Sequence, residues 1–112
     1  MKKRFDAYEV ALELAAALAP VIAAIARHDP DLARQLRRAL ASVPLNLAEG
    51  ACRAGKDRAH AHRIAQGSAA EVRSAVRLAH VWQYVDDDLV AAAEPSLDRL
   101  AALLWRLVNP RR

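Results

Sequence analysis

Apolar residues recur at spacings of three and four along four stretches of the chain, with breakers between them. Tyr8, Leu12, Ala15, Leu18, Ala19, Ile22 and Ile25 form the first stripe, which has the period of one helix face. Asp6 is placed to act as its N-cap, Glu9 completes an acidic capping box, and Phe5 suits a hydrophobic staple. Pro20 removes the hydrogen bond to the Ala16 carbonyl, so a bend is expected there. The turn that follows reads HDPD, where Asp29 can cap and Pro30 suits the first position of a second helix.

The second stripe is Leu32, Leu36, Leu40, Val43 and Leu47, and Gly50 would complete it at about 100° per residue. This register survives Pro44, so SVPLNLAEG at Ser42 to Gly50 reads as a kinked helix, with the Leu40 carbonyl freed by the proline. Leu45 falls on the opposite side, among Arg34, Arg37 and Arg38, where it could make a subunit contact. A third helix is expected from about Asp57, a plausible N-cap, to Tyr84, burying Ile64, Ser68, Glu71, Val72, Ala75, Leu78, Ala79 and Trp82. Asp86 to Asp88 then put negative charge at the start of a fourth helix, where the macrodipole favours it. That helix buries Leu89, Val90, Ala93, Leu97, Leu100, Ala101, Leu104 and Val108, carries Pro95 in its first half, and sets Trp105 at the stripe's edge. Four amphipathic helices at about 6–27, 31–51, 57–84 and 87–108, joined by short links, predict an all-α, antiparallel up-and-down four-helix bundle.

Composition agrees with this. Of 112 residues, 54% are hydrophobic but only 4% aromatic, and the excess is alanine and leucine, which favour helix. The length suits one domain with a core modest enough that self-association would add stability. Cys52 is a lone cysteine, so neither an intrachain disulfide nor a CxxC site is available, and a reducing cytoplasmic setting is expected. Acids at Asp6, Glu9 and Glu13 interrupt what would be a signal peptide's apolar region. The run from Leu14 to Ala26 is shorter than the roughly twenty residues a bilayer requires, so no membrane is expected.

Polar residues that break the stripes raise the question of chemistry. Glu71 on an apolar face would need hydrogen bonds, a cation or water. Ser42, Asn46, Glu49 and Ser68 are its expected companions in a structural polar network, with Arg53 as a further candidate. The competing idea is a Glu49 and Glu71 carboxylate pair for acid–base or metal chemistry, but the Glu-x-x-His spacing of di-iron bundles is missing. His60 and His62 are two apart and diverge on a helix, His28 and His80 lie elsewhere, and all four are expected in solvent. No catalytic triad order, phosphate-binding glycine loop or zinc spacing occurs. The expectation is a non-enzyme with no cofactor and no metal.

Charge says more. Pro30 to Tyr84 holds nine Arg or Lys against four acids, net +5, whereas Val85 to Trp105 holds one Arg against five acids, net −4. Arg34, Arg37 and Arg38 line one helix, Arg63, Arg73 and Arg77 the next, and Arg53, Lys56 and Arg58 fall around the link between them. Guanidinium forks suit phosphates, and a pI near 9.8 suits a polyanionic partner such as RNA or DNA. The alternative is a structural or protein-interaction module, whose arginines make subunit or partner contacts.

Two segments resemble a known family. SVPLNLAEGACR at Ser42 to Arg53 and RIAQGSAAEVRSAVRLA at Arg63 to Ala79 are similar to the signature segments of the bacterial four-helix bundle proteins encoded within intervening sequences of large-subunit rRNA genes. RFDAYEVALELA at Arg4 to Ala15 resembles that family's entry into its first helix. The resemblance implies a homopentameric barrel of bundles. It also implies kinship with the accessory proteins of diversity-generating retroelements, which bind nucleic acid and a reverse transcriptase. A glycine the family would place near the end of the third helix is missing, and Gln83 and Tyr84 stand there.

Overall fold

The computed structural model describes residues 3–110, with side chains from residue 6 to residue 110. Four helices follow in order: α1 (Lys3–Ala26), α2 (Pro30–Ala51), α3 (Gly55–Val81) and α4 (Asp87–Val108). Helix α1 packs on α2, α2 on α3, α3 on α4, and α4 closes back on α1. At about 1.5 Å per residue, 22 to 27 residues make rods of roughly 33 to 40 Å, which matches a body 43 Å long and 23 by 19 Å across. The antiparallel course of neighbours follows from their contacts: Ser68 meets Ser42 and Arg58 reaches Gly50, while Arg73 meets Asp98 and His80 meets Asp87. The fold is the expected all-α four-helix bundle.

Each helix is held by the stripe it buries. Leu14, Leu18 and Ile25 of α1, Leu36 and Leu47 of α2, Val72 and Val76 of α3, and Leu100 and Leu104 of α4 are fully enclosed. Burying a side chain of this size contributes roughly 1.5–3 kcal/mol. On α2 and α4 the stripe is nearly the one the sequence predicts, including Gly50; only Ala101 on α4 turns outward. On α1 the buried set is Ala7, Val10, Ala11, Leu14, Leu18, Val21, Ala24 and Ile25, rotated by one position from much of the expected stripe and leaving Leu12 and Ala19 exposed. On α3 Ala61, His62, Ala65, Val72, Ala75, Val76 and Ala79 are buried, whereas Ile64, Glu71, Leu78 and Trp82 are exposed. Alanine explains both shifts, since it lies on every side of these helices and weakens the contrast that fixes the phase. The stretch Asp6–Ala26 is also long and apolar enough, by length and composition alone, to cross a membrane. It is longer than the apolar run from Leu14 to Ala26 because it admits Asp6, Glu9 and Glu13.

Helix ends depend on local chemistry. Asp29 caps α2 by accepting a hydrogen bond from the Leu32 amide at 3.0 Å, with Pro30 at the first position. Neither Asp6 nor Asp57 is an N-cap. Helix α1 already begins at Lys3, and α3 begins at Gly55 after Ala54, which offers no side-chain cap. Gly55 turns the chain at a φ of +58°, a left-handed conformation that costs glycine little. The Phe5 side chain lies outside the described residues. Helix α2 continues through Pro44, and α1 through Pro20.

Helix α3 stops at Val81, three residues before Tyr84, through a left-handed cap. The Tyr84 amide donates to the Ala79 carbonyl at 2.9 Å and the Gln83 amide to the His80 carbonyl at 3.0 Å, the paired bonds of a Schellman motif. Gln83 occupies the position with positive φ, at 64°, that glycine usually fills. Tyr84 then stacks on His28 of the opposite turn, with ring centroids 5.1 Å apart and 5° between planes.

Glycine substitutions test this packing. A Cβ on Gly67 would meet nothing within 4 Å, so Gly67→Ala should raise stability by about 0.5–1 kcal/mol. A Cβ on Gly50 would sit 3.2 Å from the His62 ring and 3.3 Å from Ala61, so Gly50→Leu should cost about 1–3 kcal/mol. Thermal denaturation of the two variants should move in opposite directions. Gln83→Gly should stabilise by about 0.5–1 kcal/mol in urea titration, because it relieves a left-handed glutamine at an otherwise intact cap.

Candidate nucleic-acid interface

The nine cations singled out in the sequence do not form one surface. Arg34, Arg37 and Arg38 border an open groove of about 520 Å³ between α1 and α2, floored by Ile22, Ala26 and Ala33. Arg63 and Arg73 border a second groove, of about 770 Å³, between α3 and α4. Arg77 lies one turn beyond Arg73 and is exposed. Between the two rows runs the outer seam of α2 and α3, which contains the acids Glu71, Glu49 and Asp57. Arg38 sits on the crest and borders both this seam and the α1–α2 groove.

Several of these cations are already engaged. Arg34 donates to Asp31 at 2.7 Å, and both side chains are exposed. The Arg53 guanidinium Nε donates to Glu49 at 2.7 Å; this hydrogen bond, followed by the attraction of the same carboxylate, raises its pKa above the ordinary arginine value. Arg58 Nε donates to the Gly50 carbonyl at 3.2 Å and so ties the start of α3 to the end of α2. Arg73 reaches across to α4, 2.8 Å from Asp98 and 3.9 Å from Glu94. Arg37, Arg38, Lys56, Arg63 and Arg77 make no ion pair among the described residues.

The polar network is smaller than expected and lies nearer the surface. The Asn46 amide donates to the Ser42 carbonyl at 2.9 Å and to its hydroxyl at 3.0 Å, and the Ser68 hydroxyl meets the Ser42 hydroxyl at 2.7 Å. All three residues are half-buried in the α2–α3 seam. Glu49 and Glu71 lie outside this network. Glu49 pairs with Arg53 on the surface, and Glu71 is exposed at the rim of the seam beside Arg38, so neither carboxylate is forced into an apolar core. The carbonyl that Asn46 serves is that of Ser42, not the Leu40 carbonyl freed by Pro44. His62, expected in solvent, is buried against Gly50. His80 meets Asp87 at 2.6 Å and fastens the α3–α4 turn. Among the described residues no three His, Cys, Asp or Glu side chains converge as metal ligands.

The profile of the 23S rRNA-intervening sequence proteins matches residues 3–106. The chain belongs to this family. A solved structure with the same fold is a protein of unknown function of the S23 ribosomal protein family from Bacteroides thetaiotaomicron, with a TM-score of 0.84 at 16% identity over 96% of this chain and 99% of that one. No curated protein matches the chain in sequence. In this member of the 23S rRNA-intervening sequence proteins, the first signature segment forms the α2 side of the seam and the second its α3 side, and Ser42 and Ser68 join them.

Asn46 contributes two hydrogen bonds to that junction. Asn46→Ala should cost about 1–2 kcal/mol in urea unfolding. Glu71→Ala, at an exposed carboxylate, should stay within about 0.5 kcal/mol of the parent.

Proposed function

We propose that this chain is a non-enzymatic, self-associating basic bundle that binds the phosphate backbone of RNA or DNA as an accessory to another nucleic-acid protein. The observation that carries the reading is the pair Arg37 and Arg38, both exposed, neither in an ion pair among the described residues, and set beside Arg34 along an open groove. Adjacent guanidiniums with no carboxylate partner can each meet a phosphate oxygen through a charge-assisted hydrogen bond. The family's description, which ties it to an intervening sequence of 23S rRNA, points to the same class of partner. Kinship with retroelement accessory proteins would make a reverse transcriptase the protein partner.

Self-association draws on α1. Leu12, Ala16, Ala19, Ala23 and Ala26 recur at alternating spacings of four and three, all exposed, on the side away from the core. That is the period of a helix–helix seam, and a pentamer is the assembly that the resemblance implies. A second reading, a protein-interaction module without nucleic acid, has its own support in the four cations already held by Asp31, Glu49, Gly50 and Asp98.

Salt decides between the two. Labelled RNA and duplex DNA should bind the protein, with affinity falling steeply between low and physiological salt. Arg37→Ala with Arg38→Ala should lower affinity at least about tenfold and reduce the log–log salt slope by about two, with the oligomeric mass by light scattering unchanged. Unchanged affinity in the double variant would refute the assignment to this groove, and absence of binding by an intact oligomer would favour the interaction module.

A further inference from the structure

We propose that the α3–α4 groove is a site for single-stranded nucleic acid, in which Trp105 stacks on an unpaired base and Arg63 meets an adjoining phosphate. This rests on the nucleic-acid reading above and goes beyond it, because that reading uses backbone charge in a different groove.

The indole is the first reason. Leu104 is fully buried, and the next residue, Trp105, is 58% exposed on the wall of the α3–α4 groove. An indole face left in water costs free energy that a planar partner would recover, and every nucleobase has such a face. The groove has room for one. On the α3 side it is lined by Gly67 and Ala70, and the space beside Gly67 is empty to 4 Å. Its α4 side is apolar, with exposed Ala101 beside the enclosed Leu100 and Leu104, and a base edge loses least by leaving water against such a surface.

Charge is the second reason, and it points to the same end of the groove. Gly55–Gly67 and Ala101–Pro110 together carry Lys56, Arg58, Arg63 and Arg106 against the single acid Asp57. The other halves, Ser68–Val81 and Asp87–Leu100, carry Arg73, Arg77 and Arg99 against Glu71, Asp87, Asp88, Glu94 and Asp98. Arg73 is neutralised there by Asp98 and Glu94, whereas Arg63 has no ion-pair partner among the described residues. A polyanion is therefore drawn to the end that holds the exposed indole and turned away from the other. Stacking also selects the form of the partner. A base within a duplex is already covered on both faces, so a wall-mounted indole can reach only an unpaired one.

The experiment uses full-length protein carrying Trp82→Phe, so that Trp105 is the sole tryptophan. Trp105 emission is titrated with oligothymidylate of about 12 nucleotides, with an abasic strand of the same length and with duplex DNA, while light scattering follows the oligomeric mass. Oligothymidylate should quench emission and bind about tenfold more tightly than the abasic strand; duplex should not quench. Trp105→Ala should reduce oligothymidylate to the affinity of the abasic strand. Gly67→Leu, which fills the groove without meeting a neighbour at its Cβ, should do the same with no loss of thermal stability. Equal affinities for the two strands, unaffected by Trp105→Ala, would overturn the stacking site and leave the Arg37 and Arg38 reading standing. Failure of both strands with duplex still bound would overturn the stacking site alone, and failure of all three to bind would overturn both readings. Emission that changes with protein concentration alone, with a smaller mass in Trp105→Ala, would overturn the proposal by giving the groove to a second copy of the chain.

Discussion

The close approach of α2 and α3 at Gly50 sets the positions on which the rest of the structure depends. There a Cβ would have only 3.2 Å to the buried His62 ring, so the helices meet with no side chain on the α2 side. Interiors are packed closely enough that this contact admits few registers. Once Gly50 lies on Ala61 and His62, antiparallel geometry carries Ser42 to Ser68, whose hydroxyls bond at 2.7 Å. Arg58 can then reach the Gly50 carbonyl and hold the short link between the helices. The same register leaves Arg34, Arg37 and Arg38 along the α1–α2 groove and Arg63 and Arg73 along the α3–α4 groove. The separation of the two basic rows is thus a packing result.

Electrostatics then divides the cations by function. Pairs such as Arg34 with Asp31 are exposed and contribute little stability, roughly 0.2–1 kcal/mol, but they reduce the local positive field. Arg73, less exposed and placed between two acids of α4, links helices that share the wider groove. Arg37, Arg38 and Arg63 retain their full charge toward solvent, and a polyanion passing within roughly one Debye length, about 8 Å at physiological salt, would feel it.

The bundle itself was readable from sequence, because four stripes at helical period leave little choice of architecture. The start of α2 was readable too, since Asp29 and Pro30 act through their own side chains. Features made by the backbone were not. Gly55 starts α3 through its φ, and Gln83 ends it in a conformation that a glutamine gives no reason to expect. The phase of α3 is not legible because alanines surround it: the pattern points Glu71 to the core and His62 to solvent, and the structure exchanges them. The nine cations are identifiable in the sequence, and Asp31 and Glu49 lie within one turn of Arg34 and Arg53, but the partner of Arg73 is not, because Asp98 lies 25 residues away. Trp105 was placed at a stripe's edge, yet only the folded groove joins it to Arg63 and Gly67.

The outward face of α1 has a further consequence. Ala16, Ala19, Ala23 and Ala26 have no rotamers to freeze, and the helix backbone beneath them is already fixed. Ordering a long polar side chain at an interface can cost up to about 2 kcal/mol in conformational entropy, and an alanine costs almost none. A partner that settles on this face therefore meets a surface that has already lost its disorder, and the contact made there is not offset by side-chain ordering on the α1 side.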